Sequence, residues 1–263
     1  MRTIVCVKRV PETPTFEIVP PKDLRFREGT NFAMNPFDEF AVEEALQTKD
    51  KQGGEVVALT VGPAENEKIL KDCLAMGASA AYRLWDDAFA GGDPFATAYL
   101  LSLAAKKVGE FDLIFCGREA IDGQSGIVGP ALARLLGATP VTHLAKIREI
   151  DLAGRSIVVE RQLEGGREIL RAKLPAVLCC IKDINHPRYP SLLGIRKAAK
   201  IEVPVWSAAD LGADVARVGA AGARFSLESI APPPSRTGGE ILQGDAEGVT
   251  DALVERILGL KIL

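Results

Sequence analysis

The chain is short of the features that most often betray a function. Its 263 residues carry two histidines, five cysteines and a formal net charge of −3. So nearly neutral a balance argues against a nucleic-acid binder, whose electrostatic footprint is usually strongly basic. No apolar run approaches the ~18 residues needed to span a bilayer, so direct membrane insertion is not expected. The opening Met1-Arg2-Thr3-Ile4-Val5-Cys6-Val7 runs straight into a strand and lacks the apolar core and cleavage region of a signal peptide. Cys6, Cys73, Cys116, Cys179 and Cys180 show no C-x-x-C spacing. Zinc and iron–sulfur ligands come in close pairs, so buried, reduced thiols in a cytoplasmic protein are the expectation. His143 and His186 lie far apart and in no catalytic spacing with Ser or Cys, which leaves them structural or surface roles. Neither G-x-G-x-x-G nor G-K-[ST] occurs, and no pyrophosphate loop of an ATP-hydrolysing or adenylating enzyme follows the first strand.

What is present reads as an ordinary globular chain, 47% hydrophobic and 25% charged. Ile4–Val7, Val56–Val61 and Asp112–Cys116 are short apolar runs suited to buried parallel strands. Helical stretches separate them. Asn35 is placed as an N-cap, with Pro36 at the first helical position and Phe37, Phe40, Ala41, Glu44 and Ala45 at helical spacing. Further helices are predicted over 64–76, ending at Gly77, over 94–108, and over 127–136, ending at Gly137. Such alternation predicts an α/β fold, a Rossmann-like parallel sheet flanked by helices, of the adenine nucleotide alpha hydrolase-like kind. The acidic run Asp38-Glu39 with Glu43-Glu44 is expected on a solvated helix face, and Trp85 and Trp206 are expected to be packing residues.

Ligands of open parallel sheets bind beyond the carboxyl ends of the strands. Three segments fall there: Val7-Lys8-Arg9 after the first strand, Gly62-Pro63 after the second, and Gly117 to Pro130 after the third. The third holds Gly117, Gly123, Gly126 and Gly129, which let backbone approach a ligand, and Ser125 or Gly126 stands at a helix N-terminus, where free amides favour phosphate. Asp122 could accept from a ribose hydroxyl. A single loop of this kind is more often a tight connector; three converging ones point to a nucleotide pocket.

Residues 156–181 read as a β-hairpin, with alternating strands on either side of Glu164-Gly165-Gly166 and an apolar run from Ala176 to Ile181. The following loop carries Pro187, Tyr189, Pro190, Leu192 and Leu193 with Arg188, Arg196, Lys197 and Lys200 around them. An extended, apolar-tipped loop with a basic rim suits a protein partner. Beyond Val205 the chain turns rich in Ala, Gly and Pro, including Pro232-Pro233-Pro234, and closes with an amphipathic helix over 246–258 bearing Val249, Leu253 and Ile257. Two units are therefore expected: a nucleotide-binding α/β domain over 1–205, with the hairpin and a recognition loop over 188–200, and a docking arm over 206–263.

Several separated motifs resemble the beta subunit of electron transfer flavoproteins over essentially the whole chain. They are Val7-Lys8-Arg9-Val10, Asn35-Pro36-Phe37 with Glu43-Glu44-Ala45, Val61-Gly62-Pro63, Ala75-Met76-Gly77-Ala78 and Ala120-Ile121-Asp122. The family signature covers Val159, Arg161, Glu164-Gly165-Gly166, Glu168, Leu170, Pro175 and Val177-Leu178-Cys179. The resemblance implies a heterodimer with an alpha subunit holding the electron-carrying FAD, exchanging electrons with dehydrogenases and quinone-side redox proteins. It implies an adenine nucleotide held by Cys6, Val7, Lys8, Asn35, Pro36, Phe37, Asp38, Val61, Gly62, Gly117 and the stretch Ala120, Ile121, Asp122, Gly123, Gln124, Ser125, Gly126, Ile127, Val128 and Gly129, with phosphates against the amides of Ser125 to Gly129. Arg188, Tyr189, Leu192 and Lys197 fall in its recognition segment, with Leu192 as the anchor.

Two subtypes are distinguished by the beta site. The ordinary type holds AMP; the bifurcating type holds a second FAD, reduced by NADH. The bifurcating pattern resembles A-I-D-G-D-T-x-Q-V-G-P, preceded by D-T-x-A-T-S. Here Asp122-Gly123, Val128-Gly129-Pro130, Asp93 and Thr97 agree with it, and Ser125 keeps a hydroxyl. Gln124 and Ile127 depart from it, and Arg9 is nearer the ordinary type, whereas Pro233-Pro234, Gly238-Gly239-Glu240-Ile241 and Gly244 return to the bifurcating pattern. The second FAD is the expectation, with AMP as the alternative. A stand-alone adenine-nucleotide sensor would not need the hairpin, the recognition loop or the arm.

Overall fold

Apolar runs too short for a helix become strands when both faces are covered, and Ile4, Val5, Val56, Ala58, Leu59, Leu113, Ile114 and Phe115 are all inaccessible to solvent. The computed structural model describes residues 1–12, 16–19, 23–26, 28–182, 184–226, 228 and 238–260. The order begins β1 (Arg2–Cys6), β2 (Arg9–Pro11), β3 (Phe16–Val19), β4 (Asp23–Phe26), β5 (Phe32–Met34), α1 (Pro36–Gln52), β6 (Glu55–Val61) and α2 (Glu67–Met76). It continues with β7 (Ala80–Leu84), α3 (Pro94–Val108), β8 (Leu113–Gly117), α4 (Val128–Leu136), β9 (Thr139–Asp151), β10 (Ser156–Leu163), β11 (Gly166–Lys173) and β12 (Ala176–Cys180). Then follow α5 (Leu192–Ala199), β13 (Val205–Trp206), α6 (Ala208–Leu211), α7 (Gly219–Gly222) and α8 (Ala246–Gly259).

Nine strands make one sheet in the order β11-β10-β9-β12-β8-β1-β6-β7-β13. From β9 to β13 every neighbour is parallel, and β10 and β11 add an antiparallel edge. The chain travels outward from β1 through β6 to β7, then returns to the other side of β1 as β8. The reversal between β1 and β8 is a topological switch point, where adjacent loops leave in opposite directions and open a crevice. Helices α1 and α2 cover one face through Ala41, Val42, Ile69 and Leu70. Helices α3 and α4 cover the other through Leu100, Leu101, Leu132 and Ala133. The expected α/β architecture is therefore present, with helix limits within a few residues of those read from caps and glycines.

Several expectations need correction. The hairpin is β10–β11 alone, closed by Glu164-Gly165, with Leu163 opposite Gly166 and Gly165 at φ 81. The run Ala176–Cys180 leaves it and becomes a central strand between β8 and β9, buried throughout, because all five of its residues are apolar or thiol. The long β9 carries little signal in the sequence; its alternation is interrupted by Pro140 and by charged residues on the exposed side. The segment 188–200 is not an extended loop: Ser191 accepts from the Gly194 amide and starts α5 one residue after Pro190. Nor does the chain leave the body at 206. Trp206 stacks on Tyr82 at 4.1 Å, and Leu211 and Val218 join the apolar layer under α3. The boundary placed at 205/206 therefore cuts through packed structure that runs to Gly222.

The acidic face of α1 is the largest correction. Asp38, Glu43 and Glu44 are buried, Glu43 with only 3% of its surface accessible. Each has a partner distant in sequence. Arg188 donates to Glu43 from Nε at 2.8 Å and Nη2 at 3.1 Å, and the Arg188 amide adds a third bond at 3.1 Å. Asn185 Nδ2 donates to Glu44 at 2.9 Å. Burial raises the Glu44 carboxyl above its ordinary range, against the Asn185 hydrogen bond. All five cysteines are buried and free. Among the described residues no helix is long and apolar enough to cross a membrane. Pro232-Pro233-Pro234 lie outside the described residues.

Candidate functional site

A cleft of about 760 Å³ opens over the carboxyl ends of β1, β6 and β8. Strand β1 delivers Cys6, Val7 and Lys8 to its wall, β6 delivers Val61 and Gly62, and β8 delivers Cys116 and Gly117. The loop from Arg118 to Gly129 closes one side and the turn from Trp85 to Thr97 the other.

Asp38 and Asn35 hold this frame together. The Asp38 carboxylate accepts the Lys8 amide at 2.7 Å and the Gly117 amide at 3.1 Å, tying the exit of β1 to the exit of β8 across the switch point. Burial pushes the Asp38 carboxyl up to about 7, against the hydrogen bonds from Asn35, Lys8 and Gly117 and the Lys8 charge. Asn35 stands at the N-cap position, yet its side chain makes no capping bond. It donates instead to the Glu119 carbonyl at 2.8 Å and accepts the Ile121 amide at 3.2 Å. Residue 35 was legible as a helix boundary, but its side chain organises the loop after β8.

The glycines of that loop divide into two kinds. A methyl at Gly117 would sit 2.3 Å from the Asp38 carboxylate, and one at Gly129 would sit 2.3 Å from Cys179 Sγ. Those two are demanded by the protein itself. A methyl at Gly123 would meet nothing within 4 Å, and one at Gly126, whose φ is +61, would meet only the Arg118 carbonyl at 3.6 Å. These two leave room beside backbone. The amides of residues 125–129 have no backbone acceptor among the described residues, since the first bond of α4 runs from Ala131 to Ile127.

Across the cleft, Asp93 caps α3 by accepting the Ala96 amide at 2.8 Å, and its second oxygen accepts from Arg224 at 2.6 Å and Phe225 at 3.3 Å. Burial opposes its charge, but these amides and that of Phe95 outweigh it and hold the carboxyl below the usual range. Thr97 follows one turn along α3.

Most residues expected at the site meet there; Pro36, Phe37, Ile121 and Asp122 do not reach the cleft wall. Phe37 packs beneath Arg118, 5.6 Å from its guanidinium. Asp122 is engaged by Lys8 Nζ at 2.7 Å, so its carboxylate already has a cationic partner. Trp206 packs as expected, but Trp85, with Phe89 and Phe225, belongs to the cleft wall. The Gly91-Gly92 pair at this wall was a usable sequence signal, a second glycine-rich turn beyond a strand; Phe225 carried none. Arg9 lies over Phe32 at 4.0 Å and is no part of the wall.

The segment expected to meet a partner lies elsewhere. Tyr189 is 95% exposed, Leu192 79% and Leu193 77%, an apolar cluster at the start of α5. Arg188 is turned inward: besides Glu43 it binds Asp50 at 2.9 Å, and these partners raise its pKa above the ordinary guanidinium value. It pins the segment to α1. Lys197 is exposed.

Residues 23–211 match the model of the electron transfer flavoprotein domain. The chain is 41% identical to an electron transfer flavoprotein subunit beta of Thermoanaerobacterium thermosaccharolyticum over 98% of each chain. It is 39% identical to the FixA protein of Azorhizobium caulinodans, over 90% of this chain and 86% of that one. It is 37% identical to subunit CarD of the caffeyl-CoA reductase-Etf complex of Acetobacterium woodii over 98% of each chain.

Proposed function

The chain belongs to the electron transfer flavoprotein family, and from that premise we propose that it is the beta subunit of a heterodimer whose beta cleft holds FAD. Its partner is the alpha subunit, which carries the flavin that shuttles electrons between dehydrogenases and acceptors such as a quinone oxidoreductase. The observation that carries FAD over AMP is the reach of the cleft. Its volume of about 760 Å³ extends from the amides of residues 125–129, past Gly62, to a wall of Trp85, Phe89 and Phe225. That is cofactor-sized space, inside the usual range of about 300–1,000 Å³ for ligand pockets. A mononucleotide leaves the aromatic wall unused.

The chain's own groups fit such a ligand. The amides of 125–129 at the start of α4 suit a diphosphate, Gly123 and Gly126 let it approach backbone, and Ser125, Gln124 and Thr97 supply polar side chains. Asp38 and Asn35 hold the two sides of the crevice without spending their oxygens on the ligand. Lys8 is neutralised by Asp122 at the rim. When bound here, a flavin supplies hydride acceptance from NADH and onward release of single electrons. The AMP reading rests on Ile127, which places an aliphatic side chain where the bifurcating pattern has a polar one.

Docking is divided between two surfaces in this reading. The apolar cluster of Tyr189, Leu192 and Leu193, with Lys197 at its rim, meets the redox partner, Leu192 being the anchor. A small central anchor with weak surroundings permits fast exchange. Helix α8, which buries none of its residues among those described, docks on the alpha subunit. The protein acts in the cytoplasm. The test is the nucleotide content of the purified heterodimer: two FAD per heterodimer are expected, and one FAD with one AMP refutes the FAD assignment.

A further inference from the structure

A second cavity, of about 310 Å³, lies between the first turns of α3, the last turn of α4 and the segment 216–224. It shares no lining residue with the cofactor cleft: Phe95, Ala96 and Tyr99 of α3 line this cavity and do not reach the cleft. Arg134, Arg217 and Arg224 line it, and among the described residues no carboxylate does. Two of the three guanidinium groups are seated on rings, Arg217 at 3.9 Å from the Tyr99 centroid and Arg224 at 4.7 Å from that of Phe95. Among the described residues none of the three is in an ion pair. Elsewhere Arg2, Arg148, Arg155, Arg161 and Arg188 each have a carboxylate.

A guanidinium resting on a ring offers its face to the π system and keeps its in-plane N–H donors for an oxyanion. Three cations line one cavity, two of them on rings, and an anion with several oxygens bound among them gains charge-assisted hydrogen bonds. We propose that this cavity is a binding site for a small polyanion of the phosphate class, such as a diphosphate group. Three separate segments wall it, and all three arginines are exposed to solvent, so a small anion can reach them.

The site adjoins the cofactor cleft through its wall. The Arg224 and Phe225 amides both donate to Asp93, which lines the cleft and caps α3, and the Phe95 and Phe225 rings stand 5.7 Å apart. An anion gripped by Arg224 therefore also orders the Phe225 side of the cleft.

The test is calorimetric titration of the purified heterodimer with inorganic pyrophosphate at constant ionic strength, alongside citrate. One saturable site is expected, tighter for pyrophosphate than for citrate. Arg134→Gln and Arg217→Gln should each weaken it about tenfold or more, with the bound nucleotide content and thermal melting unchanged. Lack of saturable binding, or full affinity in both variants, overturns the proposal. So does binding that appears only after the cleft nucleotide is stripped, because the anion is then in the cleft. Tighter binding of citrate overturns the phosphate assignment. None of these outcomes depends on whether the cleft holds FAD or AMP.

Discussion

Replacing Asp38 by Asn tests how the cleft is built. The wild-type carboxylate is buried and accepts two amides, from Lys8 at 2.7 Å and Gly117 at 3.1 Å. An asparagine keeps one acceptor oxygen and turns an NH2 towards the other amide, so one buried donor loses its partner, at about 1–3 kcal/mol. Ionisation adds a pH-dependent part. Burial raises the folded-state pKa to about 7 from 3.8. A raised carboxyl pKa favours the folded state at low pH, and that contribution is lost as pH rises from about 4 through 7. At about 1.4 kcal/mol per pH unit, the wild type should lose about 3 kcal/mol from this group between pH 5 and pH 8, with little change above. The Asn variant does not titrate. It should therefore be less stable than wild type at pH 5, with the gap closing or reversing at pH 8. Urea midpoints of both proteins at several pH values measure this directly. A difference that stays constant from pH 5 to pH 8 refutes the reasoning, because it means the two amides keep Asp38 ionised throughout.

Other substitutions probe separate parts of the structure. Arg188→Ala leaves the buried Glu43 without its bidentate partner and should cost about 3–5 kcal/mol in urea unfolding; a loss below about 1 kcal/mol would show that Glu43 is satisfied without it. Gly129→Ala drives a methyl to 2.3 Å from Cys179 Sγ and should cost about 1–3 kcal/mol. Adding Cys179→Ala should recover most of that, and purely additive losses would place the strain elsewhere. Leu192→Ala removes a side chain that is 79% exposed, so stability should stay within about 0.5 kcal/mol while electron transfer to a partner dehydrogenase slows. Stopped-flow kinetics equal to wild type would remove Leu192 as the anchor.

These cases separate what local sequence can encode from what it cannot. The limits of α2, α3 and α4 were legible because they depend on Gly77, Gly137, Asp93 and Pro94, residues within one turn of the helix they end or begin. The strands β1, β6 and β8 were legible because burial on both faces demands unbroken apolar runs. The convergence of three strand ends on one crevice followed from the strand–helix alternation alone. Motif spacing also identified the family, since it records residues kept at fixed positions along the chain.

The tertiary structure decided what each polar residue does. Asn35 looks like a cap, but its amide is drawn to Glu119 and Ile121, 84 and 86 residues away. Glu43 looks like a solvent-facing charge, but it is buried beneath the half-buried Arg188, 145 residues on, which binds it. Gly117 and Gly129 look like ligand-contact glycines, but Asp38 and Cys179 occupy the space a side chain would need. Sequence by itself determined the α/β alternation, the helix ends and the place of the crevice, because those are set by nearest neighbours and by hydrophobic period. Which charges are buried, which glycines remain open and which arginines stay unpaired were decided only when distant segments met, because a charge's cost depends on the partner that folding brings to it.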